Sequence, residues 1–210
     1  MIKKNLKMLL VTSVAILLPT LAGLILWEQL PAQIPSHWNI NGEIDGYTSK
    51  AFAVFVMPVI MVAIHWFTVL VTLSDPKKQN HSEKILHLIF WIIPVLSIVI
   101  SVFTYSAAMG TTIRVELFIS VFLGLLFVII GNYLPKCRQN YTVGLKLPWT
   151  LHSEENWNRT HRLAGWIWVV GGFAITVSGF FSLIWITLAA PLVMAIIPTA
   201  YSYILYRKGI

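Results

Sequence analysis

The sequence predicts an all-α polytopic membrane protein with six transmembrane helices, both termini in the cytoplasm, a folded outer loop over 28–50 and a cytoplasmic loop over 135–161. Three observations predict it. The 210 residues are 57% hydrophobic and only 11% charged, against about 25% charged in soluble domains. The charges cluster between apolar runs of 20 residues or more, long enough for a hydrocarbon core of roughly 30 Å. Thirteen of the 15 Lys and Arg residues fall in alternate loops, the asymmetry of the positive-inside rule.

The runs are 6–27, 51–73, 85–109, 115–134, 163–183 and 186–206. They lack the alternation of a transmembrane barrel. The first follows Lys3, Lys4 and Lys7. It is longer than a signal-peptide core and no clear A-x-A site follows, so it reads as a retained helix. The single cysteine, Cys137, excludes an internal disulfide and offers no metal-site spacing. The net charge of +7 is explained by topology, not by nucleic acid. Lys3, Lys4, Lys7, Lys77, Lys78, Lys84, Lys136, Arg138, Lys146, Arg159, Arg162, Arg207 and Lys208 fall on the side read as cytoplasmic, and only Lys50 and Arg114 on the other.

Within the spans stand Pro19, Pro58, Pro94, Pro191 and Pro198, which kink helices where neighbours satisfy the freed carbonyls. Gly165, Gly172 and Gly179 recur every seventh residue and would let another helix approach closely. His65 is the one ionisable residue deep in a span. It reads either as a neutral histidine bonded to a neighbouring helix or as the lining of a functional cavity. The first and fourth runs end alike, "EQLP" and "NYLP". That spacing would suit an inverted repeat of the transporter kind.

The outer stretch "LPAQIPSHWNINGEIDGYTSK", 30–50, stands apart from the apolar runs on both sides. Pro31 and Pro35 stop the helix and favour an extended path. Asn41-Gly42 and Asp45-Gly46 are turn dipeptides. Ile34, Trp38, Ile40 and Ile44 lie at even spacings, as in a short hairpin with one apolar face. Trp38 and Tyr47 suit the headgroup level. Asn39, Asn41, Glu43 and Asp45 alternate like part of a calcium loop, but the pattern fails at its first and last positions, so no metal is expected. His37 and Asp45 could exchange a proton, yet no nucleophile accompanies them and no enzyme is expected.

The inner stretch "NYLPKCRQNYTVGLKLPWTLHSEENWNRTHRLAG" covers 132–165. Ser153 reads as an N-cap, with Glu154 and Glu155 in a first turn whose dipole favours acids. Trp157, His161 and Ala164 follow at helical spacing, so the helix should continue into the fifth span. Asn158-Arg159-Thr160 fits a glycosylation acceptor but falls on the cytoplasmic side. The basic residues suit recognition of a partner or anchoring to anionic lipid.

The outer stretch resembles the signature LPxxIPxHWNxxGxxDGY of a bacterial membrane domain of undefined role, giving an N-terminal domain over 1–110. The inner stretch, with Asn140, Gly144, Lys146, Pro148, Trp149, Trp157, His161 and Gly165, resembles the SdpI family and gives a C-terminal domain over 111–210. Lys146 stands where arginine is expected more often. It cannot replace a bidentate contact. The resemblance implies a multi-pass protein of the bacterial inner (plasma) membrane that protects its cell from a secreted antimicrobial peptide. It also implies capture of a small cytoplasmic helix-turn-helix repressor, with no direct binding to nucleic acid and no cofactor. On that basis His37, Trp38, Asn39, Gly42, Asp45, Gly46 and Tyr47 are candidates to meet the toxin. Asn140, Gly144, Lys146, Pro148, Trp149, Trp157, His161 and Arg162 are candidates to meet the repressor. The alternative reading is a small-solute or ion transporter.

Overall fold

A computed structural model describes residues 2–210, with side chains from Lys4 onward; the side chain of Lys3, counted in the charge asymmetry, lies outside the described part. The elements are α1 (Ile2–Ile25), β1 (Gln33–Trp38), β2 (Ile44–Ser49), α2 (Met57–Leu73), α3 (Glu83–Ala108), α4 (Val115–Tyr133), α5 (Pro148–His152), α6 (Glu154–Phe180) and α7 (Ile184–Arg207). Among the described residues, six stretches are long and apolar enough to cross a membrane: Lys4–Ile25, Phe52–Leu73, Glu83–Ala108, Val115–Lys136, Glu154–Phe180 and Ile184–Arg207. The protein is an all-α polytopic membrane protein whose only described sheet is the hairpin β1–β2. The fifth helix starts earlier than its apolar run, at Glu154. Ser153 accepts the Asn156 backbone N–H at 3.1 Å, so the cap read from sequence opens one uninterrupted helix.

Two compact units result. One comprises residues up to Leu73 together with Leu86–Ile113; the other comprises Ser74–Ile85 and Arg114–Ile210. The 74–85 segment between the second and third spans therefore folds with the second unit.

In the first unit, α1 and α2 are zipped by side chains. Thr12 Oγ1 already donates to a carbonyl of its own helix, Met8 O at 2.9 Å or Leu9 O at 3.1 Å. It therefore accepts from His65 Nε2, 2.8 Å away. One residue further along each helix, Trp66 Nε1 donates to Ser13 Oγ at 2.9 Å. His65 is fully buried and meets the ring of Phe90 edge-on. It is the histidine bonded to a neighbouring helix; its Nδ1 has no hydrogen-bond partner among the described residues. The proline prediction is met at Pro58. Its missing N–H frees the carbonyl four residues back, that of Val54, and Thr20 of α1 donates to it at 2.9 Å. A five-residue π turn, Phe52–Val56, precedes Pro58.

In the second unit, α6 lies against α4 along a glycine seam. A Cβ on Gly172 would come 2.6 Å from Gly124 O, and one on Gly179 2.6 Å from Ser120 Cβ. Backbones this close leave no room for side chains, the packing mode of small residues in membrane helices. Pro198 repeats the solution of Pro58: the freed carbonyl of Met194 accepts from Trp168 Nε1 at 3.0 Å. The end of α7 is fixed to the start of α6 through Asn156, which donates to Ser202 O at 3.0 Å and Ile210 O at 3.1 Å.

Candidate functional site

The outer stretch folds as an antiparallel hairpin pairing Gln33 with Ser49, Ile34 with Thr48, Pro35 with Tyr47, His37 with Gly46 and Trp38 with Ile44. Its base is apolar. Leu30 and Ile34 pack with Val54 and Tyr105 in a buried cluster. Lys50 donates to Trp27 O at 2.8 Å and Leu30 O at 2.9 Å, and lies over the Trp27 ring. A cation there answers the negative end of α1. The turn is built by Asn39. Its Oδ1 accepts from Asn41 N at 2.9 Å and Glu43 N at 3.1 Å, and its Nδ2 donates to Glu43 Oε2. Gly42 takes φ +78°. At Gly46 a Cβ would come 2.8 Å from His37 Cβ, so glycine there lets the strands close.

The even spacing of Ile34, Trp38, Ile40 and Ile44 does not give one apolar face. The pairing is irregular on either side of His37, which breaks the two-residue period. Ile34 points inward and Trp38 packs on Phe103 with centroids 4.9 Å apart, while Ile40 and Ile44 are exposed. The surface thus offers Ile40 at the tip, Tyr47, and a His37–Asp45 pair with Nδ1 2.5 Å from Oδ1.

The inner loop is tied around the buried carboxylate of Asp75, just beyond α2. Its Oδ1 accepts from Lys77 N at 2.7 Å; its Oδ2 accepts from Tyr141 N and Thr142 Oγ1, each at 2.9 Å. His81 Nε2 stands 3.6 Å from Oδ2 and 3.2 Å from Thr142 Oγ1. Burial alone would raise the Asp75 pKa, but the bonds from Lys77, Thr142 and Tyr141 and the neighbouring His81 outweigh it and hold it below 3.8. Burial pushes His81 below 6.5, against the pull of Asp75.

Asn140 continues the knot. Its Oδ1 accepts from Thr142 N and Val143 N; its Nδ2 donates to Arg138 O and Val143 O. Gln139 donates to Thr150 O and Leu151 O, bringing α5 in, and its Oε1 accepts from Lys77 Nζ. The knot is bolted to α6 by two stacked rings. Trp157 Nε1 donates to Cys137 O at 2.7 Å. His161, 4.0 Å away ring to ring, donates from Nδ1 to Trp157 O and accepts Leu145 N at Nε2. Gly144, at φ +117°, passes so close that a Cβ would stand 2.4 Å from His161 Nε2. Cys137 is buried beneath, which pushes its thiol pKa up to about 11.

The comparisons match both halves. Residues 14–62, which include the hairpin, match the domain of unknown function DUF1648, and residues 136–202, from the inner loop into α7, match the SdpI/YfhL protein family. Over 209 residues, 98% of this chain and 97% of the relative, the sequence is 29% identical to the immunity protein SdpI of Bacillus subtilis (strain 168). The chain is thus similar to the SdpI/YfhL family in its C-terminal part and to an immunity protein along nearly its whole length. No solved structure matches. With six membrane-competent helices among the described residues, this SdpI-like chain is a multi-pass protein of the cell membrane.

The SdpI-type residues divide by what they touch. Asn39, Gly42 and Gly46 shape the outer hairpin and Trp38 anchors it, leaving His37, Asp45 and Tyr47 to face outward. Asn140, Gly144, Trp157 and His161 build the inner knot. Trp149 packs against Tyr203 and Tyr206 of α7, which also touch each other. Lys146, Pro148 and Arg162 are exposed, with Lys146 donating to Thr142 O at 3.1 Å. Sequence reasoning passed over Asp75, His81, Gln139, Thr142 and Lys50. The signal at Asp75, an acid before proline at a helix end, marks a turn but does not identify partners 66 and 67 residues away.

Proposed function

We propose that this SdpI-like chain is an immunity protein, protecting the cell that carries it from a secreted antimicrobial peptide. The observation that carries this reading is the end-to-end likeness to a protein named for immunity. In the reading, both termini are cytoplasmic and the hairpin faces outward, as supported by the charge asymmetry. The exposed Ile40, Tyr47 and His37–Asp45 pair at the hairpin meet the peptide. On the other side, the exposed Lys146, Pro148 and Arg162, with the aromatic step of Trp149, meet a small repressor and hold it at the membrane. The buried signature residues act by shaping these two surfaces.

Sidedness has a direct test. Asn41→Cys and Lys78→Cys each place a thiol on an exposed loop position, while native Cys137 is buried and stays silent in both. In whole cells an impermeant thiol reagent is expected to label position 41, and position 78 only after permeabilisation. The reverse pattern would overturn the orientation.

Function is tested by survival under toxin at matched membrane levels, beside microscopy of a fluorescent repressor. His37→Ala with Asp45→Ala and Tyr47→Ala should lower survival without lowering protein level. Lys146→Ala with Arg162→Ala should spare survival and release the repressor. A chain that gives no protection yet carries solute flux in proteoliposomes would favour transport instead.

A further inference from the structure

At the foot of α3 and α4 the second unit holds a cavity of about 520 Å³ whose lining includes Lys84, Lys136 and Arg138 but no carboxylate. The first-turn acid of α3, Glu83, is not in the lining. Two turns build its walls. One is 78–80, held by Asn80 Nδ2 donating to Gln139 O at 2.6 Å; the other is 134–136 at the end of α4. His81, side chain almost wholly buried, closes the back, and its Nε2 faces Thr142 and Asp75. Ser82 and Lys84 also line the cavity, where α3 begins and its dipole favours an anion. Lys136 leans over Tyr133 and reaches Asn132 only at 3.5 Å. Among the described residues, Lys84 and Arg138 make no ion pair. Three cations gathered round a walled cavity without a counter-ion make an anion site. Its level identifies the anion: one membrane stretch begins at Glu83 and another ends at Lys136, so the cavity sits where the hydrocarbon stops.

We propose that this cavity binds a phosphate group, that of an anionic phospholipid headgroup, with Arg138 and Lys84 as its principal contacts. A guanidinium fork matches two phosphate oxygens, while lysine serves as a point charge. Basic pockets between membrane helices are suited to such headgroups. The lipid joins the 74–85 segment to the end of α4, bracing the knot around Asp75 from outside. This site does not depend on the immunity reading, and its test needs no toxin.

The full-length protein is reconstituted in nanodiscs of equimolar dioleoylphosphatidylglycerol and dioleoylphosphatidylcholine, and retained lipid is read by native mass spectrometry. Wild type is expected to retain one phosphatidylglycerol per chain, in preference to phosphatidylcholine by about tenfold or more. Lys84→Gln with Arg138→Gln should remove that preference, a loss of about tenfold or more that leaves the two lipids retained about equally. Arg207→Gln with Lys208→Gln removes the same charge outside the cavity and should leave the preference unchanged. Both changes fall on exposed side chains, and a silent Cys137 reports that the knot is folded. Millimolar inorganic phosphate added before release separates the sources. Phosphatidylglycerol that stays bound upholds the lipid, whereas its displacement by retained phosphate keeps the phosphate site and assigns it to a soluble anion. Equal retention of the two lipids by wild type, or an equal fall in both double variants, would overturn the proposal.

Discussion

Gly144→Ala is expected to unfold the inner loop from α6. The added methyl would occupy the space of His161 Nε2, 2.4 Å away, and the edge of Trp157, 3.1 Å away. Neither ring can yield cheaply. His161 is fixed at both nitrogens, by Trp157 O at 2.8 Å and Leu145 N at 3.0 Å, and Trp157 is bonded to Cys137 O. The backbone at φ +117° adds about 1–3 kcal/mol of strain for any residue with a Cβ. Losing the Leu145–His161 bond in a buried place adds about 1–3 kcal/mol more. The sum, about 2–6 kcal/mol, is a large part of the stability of a typical domain. The readout is Cys137, which should become reactive in the variant while the outer hairpin keeps its protection from amide exchange. Serine at 144 should behave as alanine does. A variant with Cys137 still silent would show that α6 shifts to make room.

This position illustrates what the sequence could and could not convey. The six spans, the cap at Ser153, the outer hairpin and the glycine stripe were legible because each rests on a local rule: length against bilayer thickness, side-chain caps, turn dipeptides and helical period. The facing glycines on α4 were not read, although Gly124 and Gly131 share the seven-residue spacing. Motif residues were legible as a set but not by role. Asn39 and Asn140 look like recognition groups, yet both spend their amides on their own loops. His161 looks like a titratable contact and is a bracket between two segments. Asp75 was missed for a different reason. Its partners come from a loop two helices later, and no periodic or spacing rule reaches that far.

Asp75→Ala is the second large change, and its effect should depend on pH. Removing the carboxylate strands two backbone N–H groups, of Lys77 and Tyr141, and the hydroxyl of Thr142. Each buried donor left without an acceptor costs about 1–3 kcal/mol, so the 74–85 segment and the 139–143 loop should separate. Asp75→Asn keeps the shape and one acceptor oxygen, and should fall between. Acid should imitate the alanine variant in two stages. Both His81 and Asp75 have folded pKa values below their ordinary ones, 6.5 and 3.8, so at each group the unfolded chain binds the more protons. Stability then rises with pH. The contribution of His81 is complete above 6.5 and is lost as the pH falls through its depressed folded value. That of Asp75 is complete above 3.8 and lost only below. Between pH 7.5 and pH 5.5 Asp75 therefore stays charged, and of these two groups it is His81 that loosens the segment. Hydrogen exchange at Lys77, Tyr141 and Val143, corrected for the intrinsic pH dependence of amide exchange, should speed up over that interval in wild type. His81→Gln should flatten the profile there, and Asp75→Ala should be fast throughout. If wild-type protection stays level down to pH 5.5, His81 accepts its proton without loss, forming an ion pair with Asp75. The knot would then be held by charge rather than by a neutral imidazole.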